Sequence, residues 1–275
     1  MPVKLIALDV DGTLLDPDEV ITPRVRQAVR EAIESGCLVT LATGRRLIGA
    51  QYIAQELGLA LPLILHGGAV VQDSATGAVI YQDPHEPETV EALVDLFIAR
   101  GYQPVVYESP GFGGRMFAGD PRRDTEPLRR YDDMRGPILR IDDAALRRVL
   151  HVLSVAAISP DGGLAALRDE AAAIPGTSTL LSEWHLVRCE ALEVFNAGCS
   201  KARAVAHIAE AHGIAMDEVM AIGDGLNDCE LLAAVGLGVA MGNACPEAAA
   251  VAKVRVGRND QDGVAEAIDR YVLGR

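Results

Sequence analysis

The chain opens on an apolar run, Leu5-Ile6-Ala7-Leu8, that stops abruptly at Asp9-Val10-Asp11-Gly12. A short apolar run bounded by a turn signal is the pattern of a buried strand, here residues 4–10. The next apolar positions recur at helical spacing. Val25, Val29, Ala32 and Ile33 make one stripe behind Thr22-Pro23, an N-cap followed by proline at the first helical position, and Gly36 ends the segment. Residues 38–42 return to the strand pattern, 47–57 to the helical one, and 63–65 form a third, short strand. Residues 69–72 and 78–82 predict a hairpin around Thr76-Gly77. The last third repeats the alternation, with helices at 200–212, 228–235, 246–252 and 264–272 and strands at 219–222, 237–241 and 253–256. Such alternation predicts βαβ units and a parallel sheet covered on both faces.

The middle of the chain breaks this rhythm. From about residue 84 to 190 there is no lysine, and turn residues cluster at Ser109-Pro110-Gly111 and Gly113-Gly114. Segments 103–107, 138–141, 152–158 and 179–181 read as strands. The expected architecture is therefore α/β: a doubly wound parallel sheet built from residues 1–83 and 191–275, with an α+β domain of residues 84–190 inserted.

Composition narrows the partners. Hydrophobic residues make up 49% of the chain, enough for a sizeable core and against disorder. A net charge of −14 argues against nucleic acid or an anionic membrane as partner, so an anionic substrate must be drawn in by a local cation. The longest apolar stretch, 232–245, is broken by Gly236, Gly238, Gly242 and Asn243, and the run after Lys4 is too short for a signal-peptide core. The five cysteines (Cys37, Cys189, Cys199, Cys229, Cys245) are scattered and form no CxxC pair. Neither a zinc site nor a disulfide framework is expected, and a reducing cytoplasm fits.

The polar residues at the strand ends carry the chemistry. In open parallel sheets, ligands bind beyond the carboxyl ends of the strands. Asp9, Thr43 and Asp224 each follow a predicted strand, and Lys201 starts a predicted helix after Gly198-Cys199-Ser200. The alternation brings all four to one sheet edge. Two acids at the mouth of a buried strand are costly, since like charges ~4 Å apart repel by about 4 kcal/mol even at an effective dielectric of ~20. A cation, a shared proton or a phosphoryl reaction accounts for Asp9 and Asp11; a solvated Asp-Gly turn is the plainer reading. Rival motifs fail. Met241 stands where a dinucleotide loop needs glycine, Leu14 where an EF-hand needs it, and there is no Walker A, HExxH or GxSxG sequence.

Four stretches, LDVDGT, LATGRR, GCSKA and GDGLND, follow one another in this order. Together they resemble the motifs of haloacid dehalogenase superfamily hydrolases, in particular the Cof-type phosphatases with a large α/β cap between the second and third motifs. Residues 259–264 resemble that family's closing NDxDGV. The resemblance implies a Mg²⁺-dependent phosphatase acting on small phosphorylated metabolites, such as sugar phosphates, through an aspartyl-phosphate. Asp9 would be the nucleophile and Asp11 the general acid and base. Thr43, the Gly44 N–H and Asn227 would hold phosphoryl oxygens, and Lys201 would offset the gathered negative charge. Asp9, Asp224 and the backbone carbonyl of Asp11 would bind Mg²⁺, with Asp228 behind them, pairing with Lys201 or acting through water. The cap would close over the active edge and set specificity.

Several of these residues have plainer readings. Thr43, Ser200 and Asn227 fit helix N-caps, Thr13 a cap or turn residue, and Arg45 a partner for an acid more than for phosphate. The loop after the third strand is Gly67-Gly68-Ala69 where the family often has Asn-Gly-Ala, so a phosphate contact from it is doubtful, and His66 reads as structural. In the cap, Arg115, Arg122, Arg123, Arg129, Arg130, Arg135 and Arg140 interleave with Asp120, Asp124, Glu126, Asp132 and Asp133, which favours a self-compensating surface over an anion site. Trp184 reads as a cap core anchor. Three other functions compete: a phosphomutase, a receiver-like phospho-acceptor domain (against which Lys201 precedes the Asp224 motif), and a binding protein that has lost turnover.

Overall fold

Leu5–Leu8 lies at the heart of the molecule because apolar side chains on both of its faces demand cover from both sides. In the computed structural model, which describes residues 2–160, 162–184 and 189–275 except for the side chains of Arg135 and Trp184, this strand is flanked by two parallel neighbours. Leu5 pairs with Val219 on one side and Leu38 on the other, and all four residues of the strand are fully buried. The full sheet runs Val254–Arg255, Leu237–Ala240, Val219–Gly223, Leu5–Leu8, Leu38–Leu41, every pair parallel. A bridge between Ala42 and Ile64 leads to a second sheet of Leu63–Leu65, Val70–Gln72 and Val79–Gln82. This gives the expected doubly wound α/β core.

The helices between these strands start and stop where their sequences dictate. Thr22 accepts a hydrogen bond from the Val25 N–H at the head of Pro23–Glu34. Gly58, in the left-handed conformation, ends Leu47–Leu57. Ser200 accepts from the Arg203 N–H to cap Lys201–Ala211. The remaining core helices are Cys229–Ala234, Pro246–Val251 and Gly263–Ile268.

Residues up to Tyr81 together with Ser200–Arg275 form one compact unit, and Gln82–Cys199 forms another. The second has a six-stranded sheet in the order Thr177–Trp184, Cys189–Asn196, Val152–Ser159, Val105–Glu108, Met116–Ala118, Ile138–Arg140. Its pairings are antiparallel except the last. Helices Pro87–Ala99 and Ala165–Ala172 cover one face through Leu93, Phe97 and Leu167, and Leu128 of Glu126–Arg135 packs on the other.

The second boundary differs from expectation. Residues 191–199 belong to the inserted unit, because Cys189–Asn196 pairs along its length with Thr177–Trp184 and along most of it with Val152–Ser159. Glu190, Glu193 and Asn196 had disguised this strand as a polar crossing. The anchoring role expected of Trp184 lies outside the described side chains.

Candidate active site

The parallel register decides which side chains meet. The Asp9 N–H donates to the Ile222 carbonyl, 3.0 Å away, so the first strand ends level with the Val219–Gly223 strand. Asp9 and Asp224 thus leave the same sheet edge side by side. One carboxylate oxygen from each of Asp9, Asp224 and Asp228 lies within 4.8 Å of the others. Gly12 permits this approach: it has a positive φ of 77°, and a Cβ there would fall 2.3 Å from Asp224 Oδ2.

Lys201 enters the cluster as the first residue of Lys201–Ala211 and is completely buried. Its Nζ donates to Asp9 Oδ1 at 2.6 Å and to Asp228 Oδ1 at 2.7 Å. Of the two readings of Asp228, the structure realises the lysine pair. Asp228 Oδ2 accepts from the N–H groups of Asp224 and Gly225, both at 3.0 Å, so this carboxylate is a strut with both oxygens engaged. Asp9 Oδ2 and Asp224 Oδ2, by contrast, accept no hydrogen bond among the described residues. Burial raises the Asp9 pKa well above the carboxylate range, with Lys201 pulling against it and Asp228 and Asp224 adding to it. Burial likewise pushes Asp224 up to about 6, opposed by the Thr13 hydroxyl. Burial pulls Lys201 down, but Asp228 and Asp9 outweigh it and keep the ammonium charged.

Three carboxylates against one ammonium leave two formal negative charges in a small buried space. The donor set is all oxygen, and two of the three acids keep an oxygen unengaged. These residues fit a hard divalent cation such as Mg²⁺.

The Asp11 carboxylate stands outside this cluster. Its side chain is 60% exposed, and Arg45, itself only 10% exposed, forks onto it through Nε to Oδ2 at 2.9 Å and Nη2 to Oδ1 at 2.6 Å. Arg45 Nη1 is braced by the Gly49 carbonyl and the Tyr52 hydroxyl. Arg45 is therefore the acid's partner, as its plainer reading held. Thr43 is buried at the end of its strand and accepts from the Arg45 N–H at 3.1 Å. It does not cap the next helix, which begins only at Leu47. Gly44 is exposed at the tip of the same turn. Asn227 is half-buried in the Leu226–Asp228 turn and caps nothing, since the helix after it has no side-chain cap.

Three polar residues matter more than their sequence context suggested. Thr13 donates to Asp224 Oδ1 at 2.9 Å, fixing the acid's rotamer. Asn243 donates to the Gly12 carbonyl at 2.7 Å and accepts from the Asn259 N–H at 3.0 Å, and Asn259 donates to the Leu15 carbonyl at 2.8 Å. The Asp9–Leu15 loop is thereby pinned from the far end of the chain. The loop after the third strand has a packing role at Gly68, the glycine it shares with Asn-Gly-Ala. A Cβ on Gly68 would lie 2.3 Å from the Ser200 carbonyl oxygen and 2.7 Å from the Lys201 N, so this loop seats the lysine helix. Burial lowers the His66 pKa to about 3, with Arg46 adding to it, so the ring is neutral. Of the seven cap arginines noted in the sequence, five pair with acids: Arg115 with Glu108, Arg122 with Asp120, Arg123 with Asp143, Arg130 with Glu126 and Arg140 with Asp124. Arg129 instead donates to the Asp124 carbonyl, and the Arg135 side chain lies outside the described residues.

The whole chain has counterparts among known proteins. It is 30% identical over 274 residues to the 5-amino-6-(5-phospho-D-ribitylamino)uracil phosphatase YcsE of Bacillus subtilis (strain 168), covering 98% of this chain and 96% of that one. It is 28% identical over 282 residues to the pyridoxal phosphate phosphatase YbhA of Escherichia coli (strain K12), covering 99% and 100%. The crystal structure of a haloacid dehalogenase-like hydrolase from Bacteroides thetaiotaomicron superposes with a TM-score of 0.80 at 27% identity, over 98% of this chain and 99% of that one. With the haloacid dehalogenase-like hydrolase model matching residues 6–268 as well, the chain belongs to that family.

Proposed function

We propose that this hydrolase is a Mg²⁺-dependent phosphatase of small phosphorylated metabolites that works through a phosphorylated Asp9. The observation that carries the reading is the placement of Lys201 Nζ between Asp9 and Asp228, in a cluster where Asp9 and Asp224 bring carboxylate oxygens within 4.8 Å and each keeps one oxygen without a hydrogen bond among the described residues. Asp9 and Asp224 would hold the metal ion. When bound, Mg²⁺ supplies charge neutralisation between the nucleophile and an incoming phosphate and orients the phosphoryl group.

The chain's own residues divide the rest of the work. Asp9 Oδ2 attacks phosphorus as the ester oxygen leaves, forming one P–O bond and breaking another. Asp11, exposed at the mouth and within reach of solvent, gives the leaving oxygen a proton and later takes one from the water that attacks the acyl-phosphate. That second attack returns Asp9 and releases inorganic phosphate. Thr43 and the Gly44 N–H are the donors for phosphoryl oxygens, and Lys201 holds Asp9 in place while balancing its charge. The phosphatase names of YcsE and YbhA support the reaction class. The five cysteines, all free, support a reducing cytoplasm as its compartment.

Asp9→Asn tests the assignment. With Mg²⁺ present, hydrolysis of p-nitrophenyl phosphate should fall by about a thousandfold or more. Acid quenching of the wild-type enzyme during turnover of a radiolabelled ester should leave phosphate on the protein, and the variant should carry none. Wild-type turnover by Asp9→Asn would refute the nucleophile.

A further inference from the structure

Residues 259–264, the closing stretch that stands out in the sequence, have no part in the chemistry assigned so far. Asn259 is nonetheless buried, at 9% exposure, and its bonds lead to the site. Its side-chain amide donates to the Leu15 carbonyl at 2.8 Å, and its N–H donates to Asn243 Oδ1 at 3.0 Å. Asn243 Nδ2 donates in turn to the Gly12 carbonyl at 2.7 Å. Two linked amides thus grip the Asp9–Leu15 loop at two carbonyls. The same segment reaches the other acid, because the Cys245 N–H donates to the Asp224 carbonyl at 2.9 Å. Residues 243–245 therefore hold the backbone beside both Asp9 and Asp224.

The conformation of the loop gives this grip a consequence. Asp11 (φ −79°, ψ 121°) and Gly12 (φ 77°, ψ −3°) have the dihedral angles of the central residues of a type II turn. The peptide between them carries the Asp11 carbonyl, the backbone oxygen of the expected metal set. Going over to a type I turn would rotate that peptide by about half a turn and aim the oxygen the other way. Glycine adopts φ of either sign, so Gly12 does not oppose the flip by itself. The opposition comes from the held peptides on either side. Before the turn, the Asp9 N–H is bonded to the Ile222 carbonyl at 3.0 Å; after it, the Gly12 carbonyl is bonded to Asn243. Mg²⁺ demands near-ideal octahedral geometry, whereas Ca²⁺ accepts a flexible shell of oxygens. Loosening the loop therefore costs the smaller ion more.

We propose that Asn243 and Asn259 are positioning residues for the metal site, which lock the Asp9–Leu15 loop in the turn that suits Mg²⁺ over Ca²⁺. This role rests on the Mg²⁺ part of the function proposed above and not on the hydrolytic steps.

The experiment is calorimetric titration of Mg²⁺ and of Ca²⁺ into the full chain without substrate, for wild type, Asn243→Asp and Asn259→Asp. An aspartate at 243 keeps the size of the amide and still accepts from the Asn259 N–H, but it cannot donate to the Gly12 carbonyl. It also adds a negative charge near the site, which by charge alone would tighten cation binding. Positioning predicts the opposite. Mg²⁺ affinity should fall about tenfold to a hundredfold in Asn243→Asp, and in the same direction but less in Asn259→Asp, which acts one hydrogen bond further from the acids. Ca²⁺ affinity should fall less, so the ratio of the two affinities drops. Urea melts without metal confirm that each variant is folded; if Asn243→Asp is not, Asn259→Asp decides alone. Mg²⁺ binding as tight as wild type in the folded variants, or an equal loss for both ions, overturns the role of the asparagines and leaves the metal reading standing. Absence of Mg²⁺ binding by wild type would refute the metal reading itself, and this role with it.

Discussion

Replacing Glu193 by glutamine removes a single ionisable group from the interior of the inserted sheet, and the structure sets how much stability should change. Burial raises the Glu193 pKa from 4.5 to about 7. Between those values the folded chain holds a proton that the unfolded chain has released. Stability falls as pH rises wherever the folded state binds more protons, so this group costs nothing below pH 4.5, progressively more up to about 7, and a constant amount beyond. At about 1.4 kcal/mol per pH unit, the full cost is about 3 kcal/mol. Glutamine keeps the shape and carries no charge, so Glu193→Gln should be indifferent to that interval. The amide keeps its own unmet hydrogen bonds, a cost of about 1–3 kcal/mol, but that offset does not vary with pH.

The quantity to measure is the difference in unfolding free energy between Glu193→Gln and wild type at several pH values. Every other titrating group cancels in that difference. Urea unfolding followed by tryptophan fluorescence suits the purpose, because the single tryptophan, Trp184, lies in the strand paired with the Glu193 strand. The difference should grow by about 3 kcal/mol in favour of the variant from pH 4.5 to a point above 7. A difference constant to within about 1 kcal/mol would mean that the carboxylate ionises in the folded chain without penalty, and the argument from burial would fail.

Two further substitutions probe the core unit. Lys201→Met leaves Asp9 and Asp228 buried without their shared cation and should cost about 3–5 kcal/mol in urea unfolding, with a deficit that shrinks at low pH as the raised Asp9 pKa lets that acid protonate. Gly68→Ala combines a φ of 106° with a Cβ 2.3 Å from the Ser200 carbonyl oxygen; it should lower stability by roughly 1–3 kcal/mol and lower kcat as the start of the Lys201 helix shifts, both read from one preparation by urea melts and ester hydrolysis.

What could be read from the chain beforehand was whatever local patterning controls. Leu5–Leu8 is apolar at every position because both faces are covered, and Thr22-Pro23 and Ser200 start helices by satisfying N–H groups within three residues. The strand Cys189–Asn196 was hidden because Glu193 occupies a position where burial calls for an apolar residue. In the site, Asp9, Asp224 and Lys201 were legible because each follows a strand or begins a helix. Thr13 and Asn243 were not. Their partners, Asp224 and Gly12, lie 211 and 231 positions away, and no local pattern carries that information.

Gly12 joins the two kinds of information. In sequence it is a turn glycine, and its positive φ agrees. In space, the missing side chain is what lets Asp224 come close: any Cβ would strike the Asp224 carboxylate, with its nearest oxygen at 2.3 Å. Without that approach, Asp9 and Asp224 could not bring their oxygens within 4.8 Å, and the repulsion between them would drive the loop outward. The fold resists that movement at both ends. Thr13 ties the loop to Asp224 itself, and Asn243 ties the Gly12 carbonyl to the strand end beyond Met241. The carboxylates are thus held together by hydrogen bonds that do not depend on a metal ion, so such an ion would meet a site whose electrostatic cost folding has already met. Lys201 makes that possible by neutralising part of the charge, which is why its burial, unusual for lysine, coincides with the densest acid cluster among the described residues.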